Sequence, residues 1–322
     1  MHRHCVAAWV LSVVTCAIVC TAAPAGAEQL TVRLKWFNQA QFAGFYVARE
    51  KGFYQAEGLD VSIQPGGPDF PAVQMVAGGN EQFGVTGADQ VLVARGKGVP
   101  VVALAVLYRK NPFVLFSLKQ SGIDSPDKFR GHKVGVKLGG NEELIYRAVL
   151  AKAGTSAKDL TEVPVKFDLT PLLSGQVDVW PGYVINEVIA AREKSFDVNV
   201  IWPSDYGVNL YADTLFTTEK MLASRPETVR KFVAATLKGW SYAVAHPEEA
   251  AQATVKFGDK LTYGHELAMM KASVPLLQPD AAPIGSMTAA DWQALHDLLM
   301  QGGFIKTPLK LDSAYTTRFL AP

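Results

Sequence analysis

Along most of the chain, short apolar runs alternate with longer segments in which apolar residues recur at helical spacing. Period-two alternation over 29–34 and apolar runs over 59–63 and 99–107 predict strands, the last of them buried on both faces. Helical spacing over 44–57 and 88–95, each followed by a glycine, predicts the helices between these strands. This strand–helix alternation is typical of an open, mostly parallel α/β sheet.

The same alternation restarts after residue 116. Strands are predicted over 133–136 and 177–180, with a helix over 142–153 between them, and a long amphipathic helix over 226–245 opens a more helical C-terminal part. No low-complexity linker separates the two halves. We therefore expect two α/β units that face each other across a cleft, with ligand-binding loops at the carboxyl ends of the strands.

The first 27 residues are composed differently. A basic residue, an apolar run over 6–19 and the sequence Ala25-Gly26-Ala27 predict a secretory signal peptide over 1–27. A lipid anchor is not expected, because the residues before Cys20 match a lipobox poorly. All cysteines fall within this segment: Cys5, Cys16 and Cys20. Cleavage after Ala27 would leave no disulfide, no thiolate nucleophile and no cysteine metal site.

The overall charge excludes some classes of function. The chain carries 31 basic and 30 acidic residues without a basic stripe, so nucleic acid is not an expected partner. The four histidines after residue 27 lack metal-ligand spacing, and no P-loop, nucleophile elbow or dinucleotide fingerprint is present. We therefore expect neither an enzyme nor a cofactor or metal site.

The loop after the first strand carries the first candidate site. Trp36 offers a flat apolar face, and Asn38, Gln39 and Gln41 add amide donors and acceptors, a combination that suits a planar heterocycle. An alternative is that Trp36 packs into the core beneath the loop. Tyr46, on the following helix, fits either interpretation.

Two further loops follow strands. Gly87 would allow backbone to approach a ligand, and Asp89 would either contact it or only cap the next helix. On a helix, Tyr183, Asn186 and Glu187 would share one face, where a ring, an amide and a carboxylate converge. The alternative there is a solvated polar helix face.

Two turns are weaker candidates for the ligand site. Asp205 lies in a turn with similar chemistry, and the Gly139–Asn141 turn opens a helix whose free N–H groups could hold an anion. Glu142 and Glu143 follow at once, however, and would repel a sulfonate or phosphate.

Several stretches together resemble the periplasmic solute-binding proteins of ABC importers, in the branch similar to thiamine-pyrimidine synthases. The resemblance covers nearly all of the chain after residue 27. Its markers are LKWFNQAQFAGFYVAREKGFYQAEGLDV (34–61), GGPDF (66–70), QFGVTGADQVLVARGKGVPVVALAVLYRKNP (82–112), GVKLGGNEELIYRAVLAKAG (135–154), VDVWPGYVINE (177–187) and SDYGVNLYADTLFTT (204–218).

The resemblance implies a two-lobed α/β fold of the type II periplasmic binding protein class, in which each lobe is a mostly parallel sheet flanked by helices. Lobe 1 would comprise 28–116 plus 216–322 and lobe 2 would comprise 117–215, hinged near 113–118 and 214–218. It further implies a periplasmic location, ABC permease and ATPase subunits as partners, and a small-molecule ligand. We expect a monomer.

In the aminopyrimidine-binding members of this family, the matching site residues are Trp36, Asn38 or Gln39, Tyr183 and Glu187. The resemblance therefore implies a formylaminopyrimidine or related thiamine precursor as ligand, with riboflavin and alkanesulfonate or nitrate as alternatives. Gln39 stands where the family has an asparagine, which leaves the amide contact open.

Synthase activity is not expected. Phe42 occupies the position of the synthases' histidine, Asn38 replaces their usual proline, and the chain after residue 27 lacks their cysteine-rich motif.

Overall fold

The structure is a computed structural model that describes residues 26–138, 141–278 and 280–320, and the chain forms two five-stranded sheets with helices packed around them. The strands are β1 (Glu28–Arg33), β2 (Leu59–Gln64), β3 (Phe83–Gly87), β4 (Val101–Val106), β5 (Phe113–Leu118), β6 (Lys133–Val136), β7 (Thr161–Pro164), β8 (Val179–Tyr183), β9 (Val198–Ile201) and β10 (Asp213–Thr218). The helices are α1 (Ala43–Glu50), α2 (Phe53–Ala56), α3 (Ala72–Ala77), α4 (Ala88–Gly96), α5 (Asn141–Ala153), α6 (Thr170–Leu173), α7 (Glu187–Glu193), α8 (Glu219–Ser224), α9 (Pro226–Ala245), α10 (Pro247–Val255), α11 (Tyr263–Leu277) and α12 (Ala289–Gln301).

The two sheets share one plan. The first has the order β2-β1-β3-β10-β4, and the second has the order β7-β6-β8-β5-β9. In each sheet the fourth strand in this order runs antiparallel to both of its neighbours, whereas the other pairings are parallel. The predicted mostly parallel sheets are therefore present, each with one reversed strand. We call the part built on the first sheet lobe 1 and the part built on the second sheet lobe 2.

The chain passes between the sheets twice, at 107–112 and at 202–212. Both passages come before the predicted crossings, because β5 begins at Phe113 in the second sheet and β10 begins at Asp213 in the first. The reversed strand of each sheet is thus the strand that follows a passage. The division of the remaining chain into lobes stays a prediction.

The predicted helices agree with the structure except at two places. The predicted helix over 44–57 is split into α1 and α2, because Gly52 takes a left-handed conformation with φ of 71°. The helix predicted to carry Tyr183, Asn186 and Glu187 on one face is wrong, since Tyr183 is the last residue of β8 and the helix begins only at Glu187.

The core of lobe 1 depends on the close contact of α1 with α9. Gly44 lies against the Trp240 ring, and a β-carbon at Gly239 would clash with the Gly44 carbonyl oxygen. Phe42 and Phe45 are fully buried here, as expected of core residues. This contact fixes the first residues of α1, and hence the loop between β1 and α1 that carries Trp36.

Within the described ranges, no helix is both long enough and apolar enough to cross a lipid bilayer. The predicted signal peptide lies outside the described residues, apart from Gly26 and Ala27.

Candidate functional site

A cavity of about 830 Å³ lies between the lobes, lined by residues of both. It opens where the loops after β1, β3, β6 and β8 meet, which is the carboxyl edge at which α/β sheets bind ligands. Five of the residues predicted from the sequence line it: Trp36, Gln39, Tyr183, Asn186 and Glu187.

An aromatic pair spans the cavity. The ring of Trp36 from lobe 1 meets the ring of Phe167 from lobe 2 edge to face, with centroids 4.6 Å apart. The ring of Phe37 also meets the Trp36 ring edge to face, with centroids 5.1 Å apart. Phe167 is 46% exposed, which is unusual for a phenylalanine held against another ring. The sequence does not indicate Phe167 as a site residue, because it predicts a strand over 161–167, whereas β7 ends at Pro164 and Phe167 lies in the irregular segment that follows.

A second contact between the lobes is polar. The Lys35 Nζ donates to the Tyr183 hydroxyl at 2.7 Å and lies 3.3 Å from the carboxylate of the fully buried Asp213. Burial alone would lower the pKa of Lys35, but the attraction of Tyr183 and Asp213 outweighs it and the Lys35 pKa is raised. Burial raises the pKa of Tyr183 to about 12. At neutral pH an ammonium group and a neutral phenol therefore face each other across the cleft.

Two consecutive hydrogen bonds link Gln39 to the Asp213 carboxylate. The Gln39 amide donates to the Gln41 side-chain oxygen at 2.6 Å, and the Gln41 amide donates to Asp213 at 2.7 Å. Both glutamines are buried and line the cavity. The sequence indicates Gln41 only as one of several amides beside Trp36, and its hydrogen bond to Asp213 is what brings it to the cavity.

In lobe 2 the cavity wall contains an ion cluster. The Lys137 Nζ lies 3.3 Å from Glu142 and 3.4 Å from Glu187. The other Glu187 oxygen accepts a hydrogen bond from the Tyr183 backbone N–H at 2.8 Å, which fixes the carboxylate at the first residue of α7. Burial raises the pKa of Glu142, with Lys137 acting in the opposite direction. The cluster therefore holds one lysine between two carboxyl groups.

Asn186 joins the cavity to a contact between helices of the two lobes. Its side-chain oxygen lies 3.2 Å from His265 Nε2 on α11, and the other ring nitrogen lies 3.0 Å from Glu193 on α7. His265 thus contacts lobe 2 through both ring nitrogens.

Three predicted residues lie elsewhere. Asn38 donates to the Phe257 carbonyl oxygen and accepts from the Tyr46 hydroxyl, while Tyr46 is fully buried and stacks on the Phe257 ring at 4.2 Å. Both tie the loop to the C-terminal helices rather than line the cavity. Asp205 is exposed in a short 3-10 helix and is absent from the cavity wall.

Gly87 and Asp89 lie just behind the wall. Thr86 and Gln90 line the cavity beside them, and the buried Asp89 accepts a hydrogen bond from the Gln90 side chain at 2.7 Å. A β-carbon at Gly87 would clash with Asp89 Oδ1, so a larger residue at this position would displace the Asp89 carboxyl. Of the predicted anion turn, Gly139 and Gly140 fall outside the described residues.

Metal chemistry has no candidate group in the described part of the chain, where no three His, Cys, Asp or Glu side chains come together to hold an ion.

Comparison with known proteins identifies relatives that span nearly the full chain. The chain is 29% identical over 317 residues to a riboflavin-binding protein of Chloroflexus aurantiacus, an alignment covering 93% of this chain and 90% of the relative. It is 27% identical over 298 residues to a formylaminopyrimidine-binding protein of Halalkalibacterium halodurans, covering 90% of each chain.

The structure also superposes on solved structures. The periplasmic aliphatic sulphonate-binding protein of Escherichia coli aligns with a TM-score of 0.72 at 16% identity, covering 88% of this chain and 96% of that one. At this identity the likeness shows the fold alone, which is the two-lobed fold of periplasmic binding proteins.

The family assignment rests on the sequence itself. The profile described as NMT1/THI5 like matches residues 39–250, which include all the strands except β1 and both helices of the α1–α9 contact. That match covers well over half of the chain, and therefore the chain belongs to the NMT1/THI5-like family.

Proposed function

We propose that this protein is an extracytoplasmic solute-binding protein that captures a small planar nitrogen heterocycle between its lobes and delivers it to an ABC permease. The observation that carries the proposal is the cavity between the lobes, where Trp36 and Phe167 supply aromatic surface beside the amide, ammonium and carboxylate groups of Gln39, Lys35 and Glu187. A flat ring stacks on such a wall while its edge nitrogens and exocyclic groups find hydrogen-bond partners.

The charges of the cavity argue against a simple anion as ligand. Lys35 is paired with Asp213, and Lys137 lies between Glu142 and Glu187, so a sulfonate or nitrate would face carboxylates at each lysine. Lys97 and Lys166 also line the cavity but are exposed, where water screens their charge. An amine-bearing neutral or weakly cationic ring suits this arrangement better.

A formylaminopyrimidine or related thiamine precursor is the leading ligand. Its exocyclic amine matches the Glu187 carboxylate, and the relative from Halalkalibacterium halodurans is named for this compound. Micromolar or tighter binding requires a favourable binding free energy of about 8 kcal/mol, which ring stacking and a few buried hydrogen bonds can supply.

Riboflavin is the second candidate. The cavity of about 830 Å³ lies near the upper end of the range for small-molecule sites, about 300–1,000 Å³. A three-ring system would fill more of this space than one pyrimidine, and the Chloroflexus aurantiacus relative is named as a riboflavin-binding protein.

The cellular role follows from the same comparison and from the N-terminal sequence. A predicted signal peptide over 1–27 supports a location outside the cytoplasm for the remainder, and the two-lobed fold suits transfer of a trapped ligand to permease and ATPase subunits. We propose no catalytic step, because Phe42 replaces the histidine of the related synthases.

A thermal-shift screen tests this proposal. The purified protein is heated with formylaminopyrimidine, hydroxymethylpyrimidine, thiamine, riboflavin, taurine or nitrate. A ligand at one hundred times its Kd adds about 2.7 kcal/mol of stability, which raises the Tm by several degrees. A shift with a heterocycle supports the proposal, and a shift with taurine or nitrate alone would refute it.

A further inference from the structure

One polar atom in the cavity wall has no hydrogen-bond partner. The side-chain nitrogen Nδ2 of Asn141 is buried, and within the described ranges nothing accepts its hydrogens. Asn141 is the first residue of α5 and lines the cavity from lobe 2. A buried amide donor without an acceptor is costly in a folded protein, and such a donor in a ligand cavity indicates that the ligand supplies the acceptor.

The Asn141 Nδ2 atom also lies close to residues of lobe 1. A β-carbon built on Gly87 would lie 3.6 Å from Asn141 Nδ2, so the amide reaches the end of β3 in lobe 1. Thr86, at the same strand end, lines the cavity. The donor therefore lies where the two lobes come together, and a group bound there contacts both of them.

The surroundings restrict the chemistry of the acceptor. The same Gly87 β-carbon would also meet the Asp89 carboxyl, so this carboxyl lies on the side of Gly87 that faces Asn141, and Glu142 follows Asn141 in the cavity wall. An anionic oxygen placed at Asn141 would therefore approach two acidic side chains. A neutral oxygen acceptor such as a carbonyl meets no such repulsion.

We propose that Asn141 is a specificity-determining residue of the ligand site and that its Nδ2 donates a hydrogen bond to a carbonyl oxygen of the bound heterocycle. This inference rests on the proposed function and names the ligand class more narrowly. The hydrogen bond from Asn141 selects heterocycles that carry a formyl or ring carbonyl group over those that do not. Because the bond spans the junction of the lobes, its loss accelerates ligand dissociation.

The test begins with wild-type protein titrated by calorimetry with formylaminopyrimidine, its deformylated aminomethylpyrimidine and riboflavin. Asn141→Ala and Asn141→Asp are then compared with Asn80→Ala and Asn80→Asp, which make the same changes at an exposed position in lobe 1. Infrared difference spectra of the complexes record the carbonyl band of the bound ligand, a signal that a merely structural change would not move.

We expect Asn141→Ala to weaken binding of a carbonyl-bearing ligand about tenfold. Asn141→Asp weakens it at least as much, since a carboxylate cannot donate. Binding of the deformylated compound changes little, and the carbonyl band moves to higher wavenumber in both Asn141 variants. The Asn80 variants match the wild type in every measurement.

Three results would overturn the inference. These are an unshifted carbonyl band in the Asn141 variants, equal losses for the formylated and deformylated compounds, and wild-type binding of hydroxymethylpyrimidine or thiamine in preference to either carbonyl-bearing ligand. The last would leave the proposed function intact. If the wild type binds no heterocycle at all, the proposed function fails and the inference fails with it.

Discussion

Trp36 is the residue whose environment most directly indicates a ligand ring. Its ring contacts Phe37 of its own lobe and Phe167 of the other, and it lines the cavity. The core packing considered as an alternative for Trp36 accounts for only part of its surface, because the side chain remains partly exposed.

Replacing Trp36 by alanine is expected to weaken ligand binding at least tenfold, about 1.4 kcal/mol, because the stacking surface is lost. Calorimetric titration measures the effect. Phe304→Ala, which removes an exposed ring that does not line the cavity, serves as control and should leave the Kd unchanged. Equal affinities of wild type and Trp36→Ala would place the ligand elsewhere.

Glu142 gives a prediction about pH. Burial raises its pKa above the value it has in the unfolded chain, so the ionised carboxylate costs stability at neutral pH, and the cost disappears as the pH falls through the folded-state pKa. We expect Glu142→Gln to raise the Tm at pH 7 and the difference from wild type to shrink towards acidic pH. Thermal unfolding followed by circular dichroism measures both.

Glu57→Gln, the same exchange near the end of α2, controls for the loss of a carboxylate. A Glu142→Gln variant less stable than wild type at pH 7 would mean that its ion pair with Lys137 outweighs the burial of the charge.

At the scale of elements, the contact between α1 and α9 has a precise steric requirement. The two helices approach each other at Gly44 and Gly239, where backbone meets backbone. Gly239→Ala is expected to lower stability by about 1–3 kcal/mol, because the added methyl group has no space. Chemical denaturation measures the loss.

Gly264→Ala is the matched control, since Gly264 is exposed in α11 and has open space around its α-carbon. There the same substitution should be neutral or slightly stabilising, as expected for alanine in a helix. Comparable losses at both positions would contradict the steric explanation.

Elements were predictable from the sequence where one periodicity holds throughout. The helix over Pro226–Ala245 and the strand over Lys133–Val136 have the predicted bounds. The prediction failed at 183–187, because three polar residues at helical spacing do not require a helix. Tyr183 continues a buried strand that pairs with β5, and that pairing is a tertiary contact that local spacing cannot reveal.

Part of the candidate site was also predictable from the sequence. Residues directly after strands were found, since topology alone brings them to one edge. Asn38 and Tyr46 were not distinguishable from ligand residues, because their partner Phe257 lies more than two hundred residues along the chain. Ion pairs and hydrogen bonds with distant residues hold Gln41 and Lys137 in the cavity wall, and these tertiary contacts cannot be predicted from the sequence.

At the scale of the whole molecule, the lobes are joined by the two passages at 107–112 and 202–212. Lys110 of the first lies over the Trp202 ring of the second, 4.2 Å from its centroid. Outside these passages, His265 on α11 contacts Glu193 and Asn186 of lobe 2. Opening the lobes about the passages would break the His265 contact, so this contact favours the closed arrangement.

His265→Ala is therefore expected to accelerate ligand dissociation several-fold while changing the association rate little. Stopped-flow fluorescence measures both rates. His132→Ala is the matched control, because His132 pairs with Asp178 inside lobe 2 and spans no cleft. Unchanged dissociation in His265→Ala would show that this contact does not contribute to closure.

The proposed function requires that a planar heterocycle binds between the lobes. A crystal structure of the protein with the ligand that stabilises it most in the thermal-shift screen tests this directly. We expect the ring to lie against Trp36 and within hydrogen-bond reach of Glu187, with both lobes in contact with the ligand. A ligand bound outside this cavity, or a sulfonate held there by Lys35 and Lys137, would contradict it.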